Sequence, residues 1–311
     1  MNNRTVVCVV GPTASGKTSL AVEIAKKLDG EIISADSMQI YKHMNIATAK
    51  PTEDEMQGIP HHLIDFVEPW ENFSVAKFKK LCTEKIIDIQ SRGKLPIIAG
   101  GTGFYVDTVV NNTEFLDSED NRFRELLQKK QEEYGTKTLY DELMEIDRET
   151  AEKLNEGDTK RIIRALELYY STGRTMTEQR ENSHLKESEF SFCIIGLSSE
   201  DRQFLYDRIN RRVDLMIESG LIKEAEDFFN LECSSTSKQA IGYKELKPYL
   251  DNEITLNEAV EKLRMETRRY AKRQLTWFRR NKDINWLYID RETKEALLQK
   301  SLSIIRNFSG E

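Results

Sequence analysis

Eight consecutive residues, Gly11-Pro12-Thr13-Ala14-Ser15-Gly16-Lys17-Thr18, have the types and spacing that hold a chain of phosphates. They fit the pattern G-x-x-x-x-G-K-[ST], with an apolar run before and a helical pattern after. Glycines allow backbone N–H groups to turn inward onto phosphate oxygens. The helix that follows points the positive end of its dipole at the same anion. Gly11, Thr13, Ala14, Ser15 and Gly16 are expected to cradle a diphosphate. Lys17 is expected to reach its terminal phosphate, and the Thr18 hydroxyl to ligate Mg2+, the one cofactor expected. P-loop enzymes that cleave nucleotides usually hold magnesium through a second carboxylate at the end of a buried strand. Here the apolar run Leu95–Ala99 ends in Gly100-Gly101-Thr102-Gly103, with no acid. That counts against nucleotide hydrolysis.

Asp36 follows the strand-like run Glu31–Ser34, and Thr102 follows Leu95–Ala99. In an open parallel sheet the carboxyl ends of the strands line the ligand crevice. Asp36 there either accepts a substrate proton or forms a turn. Thr102 either hydrogen-bonds a substrate or caps a helix beginning at Gly103. Arg208 and Arg212, four apart in a helical stretch, share one face. They either complete an anion clamp or form a solvated basic face.

The elements that must position these groups follow from the apolar pattern. Thr5–Val10 is a β-branched run of the kind buried in a parallel sheet, and Leu20–Leu28 has helical spacing. Glu31–Ser34 reads as a second strand and His61–Val67 as a third. A helix capped by Ser74 runs to Gln90, and Leu95–Ala99 is another buried strand. From Phe115 to Glu189 strand signals give way to charged residues at helical spacing, and Phe192–Leu197 then resumes the sheet. Helices near Asp201–Glu218 and Glu258–Arg280, a strand at Ile284–Ile289 and an amphipathic tail helix follow. The expected fold is α/β: a P-loop doubly wound parallel sheet with an inserted all-helical subdomain. Its parts are 1–114 and 190–311 for the core and 115–189 for the insertion.

The chain has 311 residues, a formal net charge of −7, and four cysteines with no Cys-x-x-Cys pair. A disulfide framework or zinc site is not expected, and no apolar stretch is long enough for a membrane helix. A cytoplasmic location is expected. His43, His61, His62 and His184 lack a metal-ligand pattern, and His61-His62 is read as structural. Against the acidic total, Lys262–Lys282 contains nine Lys or Arg and one acid, Glu266. Such an imbalance on one helix suits phosphate binding. Lys160, Arg161 and Arg164 form a smaller basic cluster, with Arg122 and Arg124 near the entry to the insertion.

The phosphate loop is joined by Ser34-Ala35-Asp36-Ser37-Met38-Gln39-Ile40-Tyr41, Ile46-Ala47-Thr48-Ala49-Lys50-Pro51 and Gly100-Gly101-Thr102-Gly103-Phe104-Tyr105. Further on stand Lys160–Glu167, Arg208-Ile209-Asn210-Arg211-Arg212-Val213-Asp214, Ala240-Ile241-Gly242-Tyr243 and Lys272-Arg273-Gln274-Leu275-Thr276-Trp277-Phe278-Arg279. In this order the strings closely resemble the tRNA dimethylallyltransferases, also called tRNA isopentenyltransferases, of the bacterial type. The likeness extends from about residue 5 to 290. It implies transfer of a dimethylallyl group from dimethylallyl diphosphate to an adenine amine in tRNA. The implied target is the adenosine immediately 3′ of the anticodon, in tRNAs reading codons that begin with U.

Within that resemblance Asp36 is the candidate base, with Lys17, Thr102 and Arg208 also catalytic and Arg212 on the diphosphate. The implied tRNA contacts are Asp36, Ser37, Met38, Gln39, Thr102, Arg122, Arg124, Lys160, Arg161 and Arg164. Gly242, Tyr243, Lys272, Arg273, Gln274, Thr276 and Arg279 complete them. The implied partners are the tRNA anticodon stem-loop and dimethylallyl diphosphate, with no membrane and a monomeric chain. An adenylate isopentenyltransferase acting on free AMP, ADP or ATP, a P-loop small-molecule kinase and a non-catalytic RNA-binding module are the alternatives. The basic helix and the insertion favour the polymer substrate over a free nucleotide.

Overall fold

The structure, a computed structural model, describes residues 4–115, 122–183 and 188–310. β1 (Thr5–Val10) is buried along its whole length, as a β-branched run covered on both faces must be. It runs through the glycine-rich loop into α1 (Lys17–Leu28), and β2 (Gly30–Ser34) follows. A four-residue helix, α2 (Glu53–Met56), starts at a Thr52–Glu55 capping box and precedes β3 (His61–His62). The side chain of Ser74 caps α3 (Val75–Ser91), which leads to β4 (Leu95–Gly100) and α4 (Gly103–Val110).

The chain divides into two compact units, and the second comprises Val110–Ser188. It contains α5 (Arg122–Ile146), interrupted at Gly135, then α6 (Arg148–Glu152), α7 (Thr159–Thr172) and α8 (Met176–Ser183). Its core gathers Leu127, Leu139, Leu143, Ile162 and Leu166. The first unit resumes at β5 (Ser191–Ser198) and continues with α9 (Arg202–Glu218), α10 (Leu221–Phe229) and α11 (Tyr243–Leu250). α12 (Leu256–Phe278), β6 (Asn285–Tyr288) and α13 (Lys294–Ser309) complete it.

All pairings within the sheet are parallel, in the order β3-β2-β4-β1-β5-β6. Val7 and Val9 of β1, Ile32 of β2 and Ile97 of β4 share a core with α1 and α13. Cys8, Cys82 and Cys193 are buried free thiols, and burial raises the pKa of each. Among the described residues, no helix is long and apolar enough to cross a membrane.

The third strand is shorter than the run His61–Val67 suggests. Leu63 and Asp65 take left-handed φ values of 57°, which ends the extended chain, and Val67 instead forms a lone bridge with Tyr41. α10 and α11 are absent from the sequence-based reading. His184 lies outside the described residues.

At this edge Glu31 is only 2 % exposed. It accepts from Arg92 at 2.8 Å and contacts His62 Nε2 at 2.7 Å and Lys94 at 3.3 Å. Arg92 above all, then His62 and Lys94, hold its carboxyl down to about 2 against the upward push of burial. A depressed folded pKa stabilises the fold above the ordinary value of 4.5. That contribution is lost as pH falls from there toward about 2. Glu31→Gln is expected to cost on the order of 2–3 kcal/mol at neutral pH, with the difference vanishing in acid. Urea midpoints measured across pH check this; a constant difference down to strong acid would contradict it.

Candidate active site

The order β2-β4-β1 puts three adjacent parallel strands side by side, so their C-terminal ends open on one edge. β1 ends in the phosphate loop, β2 in Asp36 and β4 in Thr102. The loop geometry requires glycine at Gly11, where an added Cβ would stand 2.7 Å from the Leu197 carbonyl oxygen, and Gly16 caps α1 with φ at 90°. Ala14 also has a positive φ, 62°. Lys17 curls over the loop, its Nζ donating to the Pro12 carbonyl at 3.0 Å. Arg208 Nε donates to the Ala14 carbonyl at 2.8 Å. α9 and α12 clasp the loop, with Leu205, Ile209 and Ala271 packed on Ala14.

A cavity of about 300 Å³ opens beside this loop. Lys17, Thr18, Asp36 and Arg212 line it, as do Thr13, Ser37, Met38, Gln39 and Arg273. Val213, Met216, Ala240 and Leu263 give it an apolar end. Asp36 Oδ1 accepts from the Met38 N–H at 2.9 Å and the Gln39 N–H at 3.3 Å, so its turn-forming role is real. The same residue lines the cavity, so forming the turn does not withdraw it from the site. The carbonyl of Thr102 starts α4 and its hydroxyl accepts from the Ser37 N–H at 3.0 Å; Thr102 is not among the cavity-lining residues. Gln39 Nε2 donates to the carbonyls of Thr48 and Ala49 at 3.1 and 3.0 Å, fixing the opposite wall.

Electrostatics follow from this enclosure. Burial, then the Arg212 charge, lower the Lys17 pKa to about 8, and Asp36 opposes them. Burial lowers the Arg212 pKa too, opposed by Asp36 and Glu55; a guanidinium keeps its charge regardless. Four basic residues, Lys17, Arg212, Lys244 and Arg273, line a cavity whose lining has one carboxylate, Asp36, and such an excess of positive charge suits a diphosphate. Burial and Asp36 push the Tyr270 hydroxyl upward, so it stays protonated beside Thr102 and Gln274.

Some expected contacts lie elsewhere. Tyr243 is 1 % exposed and donates to Glu224 at 2.9 Å, which corrects its assignment to tRNA: stacking on Phe228 makes it core. Gly242, by contrast, lines the cavity beside Ala47, at φ 119°. Gln274 is also turned inward, which removes it from a direct RNA surface. Arg208 touches the loop but is not among the cavity-lining residues. In the second unit Arg124 and Arg164 pair with buried Glu167 at 2.9 and 3.2 Å, so both serve that unit's own core. Arg161 reaches Asp158 at 3.5 Å, and Arg122 and Lys160 are exposed. On α12, Lys272, Arg273, Thr276 and Arg279 are exposed.

The sequence-based reading missed Glu224, whose carboxylate accepts from the N–H groups of Asn45, Ile46 and Ala47 at 2.8, 2.7 and 2.9 Å. No local signal marks it, because its partners lie nearly 180 residues away. Tyr270 was legible in principle: Thr267, Tyr270 and Gln274 recur at helical spacing on α12, and all three line the cavity.

A strand, a glycine-rich loop and a helix beginning at Lys17, set in a parallel sheet, define a P-loop phosphate-binding protein. The sequence pattern described as IPP transferase matches residues 39–281, and that described as isopentenyl transferase matches residues 4–68. The tRNA dimethylallyltransferase of Caldanaerobacter subterraneus is 50 % identical over 289 residues, 92 % of each chain. That of Acetivibrio thermocellus is 49 % identical over 300 residues, 96 % of each. The chain belongs to the IPP transferase family. Among solved structures, the tRNA isopentenylpyrophosphate transferase of Bacillus halodurans superposes with a TM-score of 0.73 at 42 % identity, covering 99 % of this chain and 98 % of that one. A eukaryotic dimethylallyltransferase acting on tRNA gives 0.82 at 30 % identity, covering 98 % and 80 % respectively.

With the Lys17 pKa at about 8, anion affinity should decline as the ammonium loses its proton above that pH. An alkyl diphosphate, already fully ionised there, is expected to bind about tenfold more weakly per pH unit from roughly pH 9 upward. Lys17→Met should bind weakly at every pH. Titration calorimetry distinguishes the two; a wild-type affinity flat to pH 10 would contradict the assignment.

Proposed function

We propose that this chain transfers a dimethylallyl group from dimethylallyl diphosphate to the exocyclic amine of the adenosine immediately 3′ of the anticodon, in tRNAs reading U-initial codons, with release of pyrophosphate. One observation carries the chemistry: Asp36 lines the same cavity as Lys17 and Arg212. The names borne by the relatives support the choice of substrates. The amine attacks the allylic carbon, the C–O bond breaks, and its electron pair leaves with the diphosphate. Lys17, Arg212 and the loop amides stabilise that departing charge. The attacking amine is weakly nucleophilic, and Asp36 accepts its proton. Thr102 at the next strand end holds Ser37 in place beside Asp36 through the Ser37 N–H. Val213, Met216 and Leu263 give the five-carbon group an apolar surface and keep water from the allylic centre.

A divalent cation fits this site modestly. Among the described residues no group of three or more acids, histidines or cysteines stands ready for a metal. Mg2+ would therefore be shared between the Thr18 hydroxyl, diphosphate oxygens and water, as that ion prefers. When bound, it adds positive charge against the leaving group.

The tRNA needs a phosphate-binding surface despite the acidic total. Lys272, Thr276 and Arg279 recur at four- and three-residue spacing on the exposed side of α12, with Arg269 one turn earlier. Lys160 and Arg161 of the second unit offer further cationic contacts. The chain acts as a monomer in the cytoplasm.

Incubation with radiolabelled dimethylallyl diphosphate plus either tRNA or AMP tests the proposal. Label is expected in tRNA alone; label in AMP alone would point to the free-nucleotide enzyme, and label in neither would sink the transfer.

Replacing Arg269, Lys272 and Arg279 together by Gln is expected to weaken tRNA binding. The salt dependence should flatten, the log–log slope falling by about 0.7–0.9 for each lost phosphate contact. Affinity for the diphosphate should hold. An unchanged slope would return this face to solvent.

Asp36→Asn is expected to lower kcat by about 10²–10⁴-fold with tRNA affinity changed only a few-fold. Asn forms the turn as well as Asp but cannot take up the proton. Retained activity, or rescue by excess Mg2+, would remove Asp36 from the role of base.

A further inference from the structure

Gln274 connects two of the strand ends from which the site is built. Its Oε1 accepts from the Thr13 N–H of the phosphate loop at 2.8 Å, and its Nε2 donates to the Gly101 carbonyl at 2.9 Å. The residue is 5 % exposed, so both bonds are shielded from water. A backbone N–H only donates and a carbonyl only accepts, so a carboxamide is the side chain that satisfies both at once. The fit is close: a Cβ on Gly101 would stand 2.2 Å from Gln274 Nε2. Three residues on, Trp277 presses on Gly103 in the same manner, and its Nε1 donates to Asp107 at 2.6 Å. Thr102 lies between these two glycines, with its hydroxyl on the Ser37 N–H at 3.0 Å.

We infer that Gln274 is a positioning residue that sets the spacing between the phosphate loop and the Thr102–Ser37 turn, and thereby aligns leaving group and nucleophile. This rests on the transfer activity proposed above. The Thr13 N–H is committed to Gln274, so the loop cradles phosphate with its remaining amides. The helix that presents the cationic face to RNA thus supplies, from its other side, the ruler between the two reacting partners. In-line displacement is sensitive to such spacing, since misplacement by about 1 Å costs on the order of 10²-fold in rate.

The test compares wild-type protein with Gln274→Ala and Gln274→Glu under single-turnover conditions, with dimethylallyl diphosphate and tRNA both saturating. Binding of inorganic pyrophosphate and of tRNA is measured separately. Gln274→Ala is expected to slow the transfer about 10–100-fold, with both dissociation constants within roughly threefold of wild type. Gln274→Glu is nearly isosteric, keeps the acceptor for Thr13 and sets an oxygen against the Gly101 carbonyl; it should be slowed as well. Should the alanine variant fail to fold, the glutamate variant carries the comparison.

A wild-type rate in either folded variant would overturn the inference. So would a loss confined to pyrophosphate affinity, which would make Gln274 a loop-shaping residue only. A loss confined to tRNA affinity would restore it to the RNA surface. Unfolding of both variants would make it a determinant of the fold and also count against the inference. The wild-type protein is assayed first: absence of transfer there would sink the activity itself, before any variant is compared.

Discussion

β4 meets β2 at Gly100, where backbone touches backbone. A Cβ at Gly100 would stand 2.2 Å from the Ala35 carbonyl oxygen, so only glycine allows the two strand ends to lie so close. Ala35 N–H donates to Ala99, and the Thr102 N–H returns to the Ala35 carbonyl at 3.2 Å. That seam carries Asp36 on one side and Thr102 on the other, one strand away from the phosphate loop. Any larger residue would push the acid and the hydroxyl apart.

The P-loop here works without the second carboxylate expected in nucleotide-cleaving relatives of the fold. In the proposed transfer, the physical reason is the position of the bond that breaks. When a carbon–oxygen bond breaks, the diphosphate leaves intact, and the protein needs positive charge around it more than a metal cage that reshapes phosphorus. In the proposed reaction Lys17 and Arg212 would supply this charge, and burial lowers the pKa of both.

Much of this was legible from residue order alone, for reasons that differ by element. β1, β2 and β4 betray themselves through β-branched or aliphatic runs, because a doubly covered sheet admits little else. α3 announces its start through Ser74, whose side chain caps the first turn, whereas α12 begins at Leu256 behind its cap Thr255, two residues before the expected Glu258. α11 stayed hidden because Pro248 interrupts its helical pattern, whereas α10 was passed over although Leu221, Ala225 and Phe228 stand at helical spacing, and the third strand was overextended because left-handed turns at Leu63 and Asp65 leave no composition signal. For the site, local motifs marked the phosphate loop, Asp36 and Thr102. Glu224 and the inward turn of Gln274 depend on partners far along the chain, and no spacing rule reaches that distance. Tyr243 was misplaced for the same cause: a tyrosine after Ile241-Gly242 looks alike whether it faces RNA or Phe228.

The three thiols sealed into the sheet layer have a use unrelated to catalysis. Cys8, Cys82 and Cys193 sit on β1, α3 and β5, and burial suppresses their thiolate form. An alkylating reagent reaches Cys8 and Cys193 only when the strands open and Cys82 only when α3 lifts from the sheet, whereas Cys233 is half-buried. The rate at which they are trapped under native conditions therefore reports how often the central sheet opens, a built-in clock for the rarest motion of the domain.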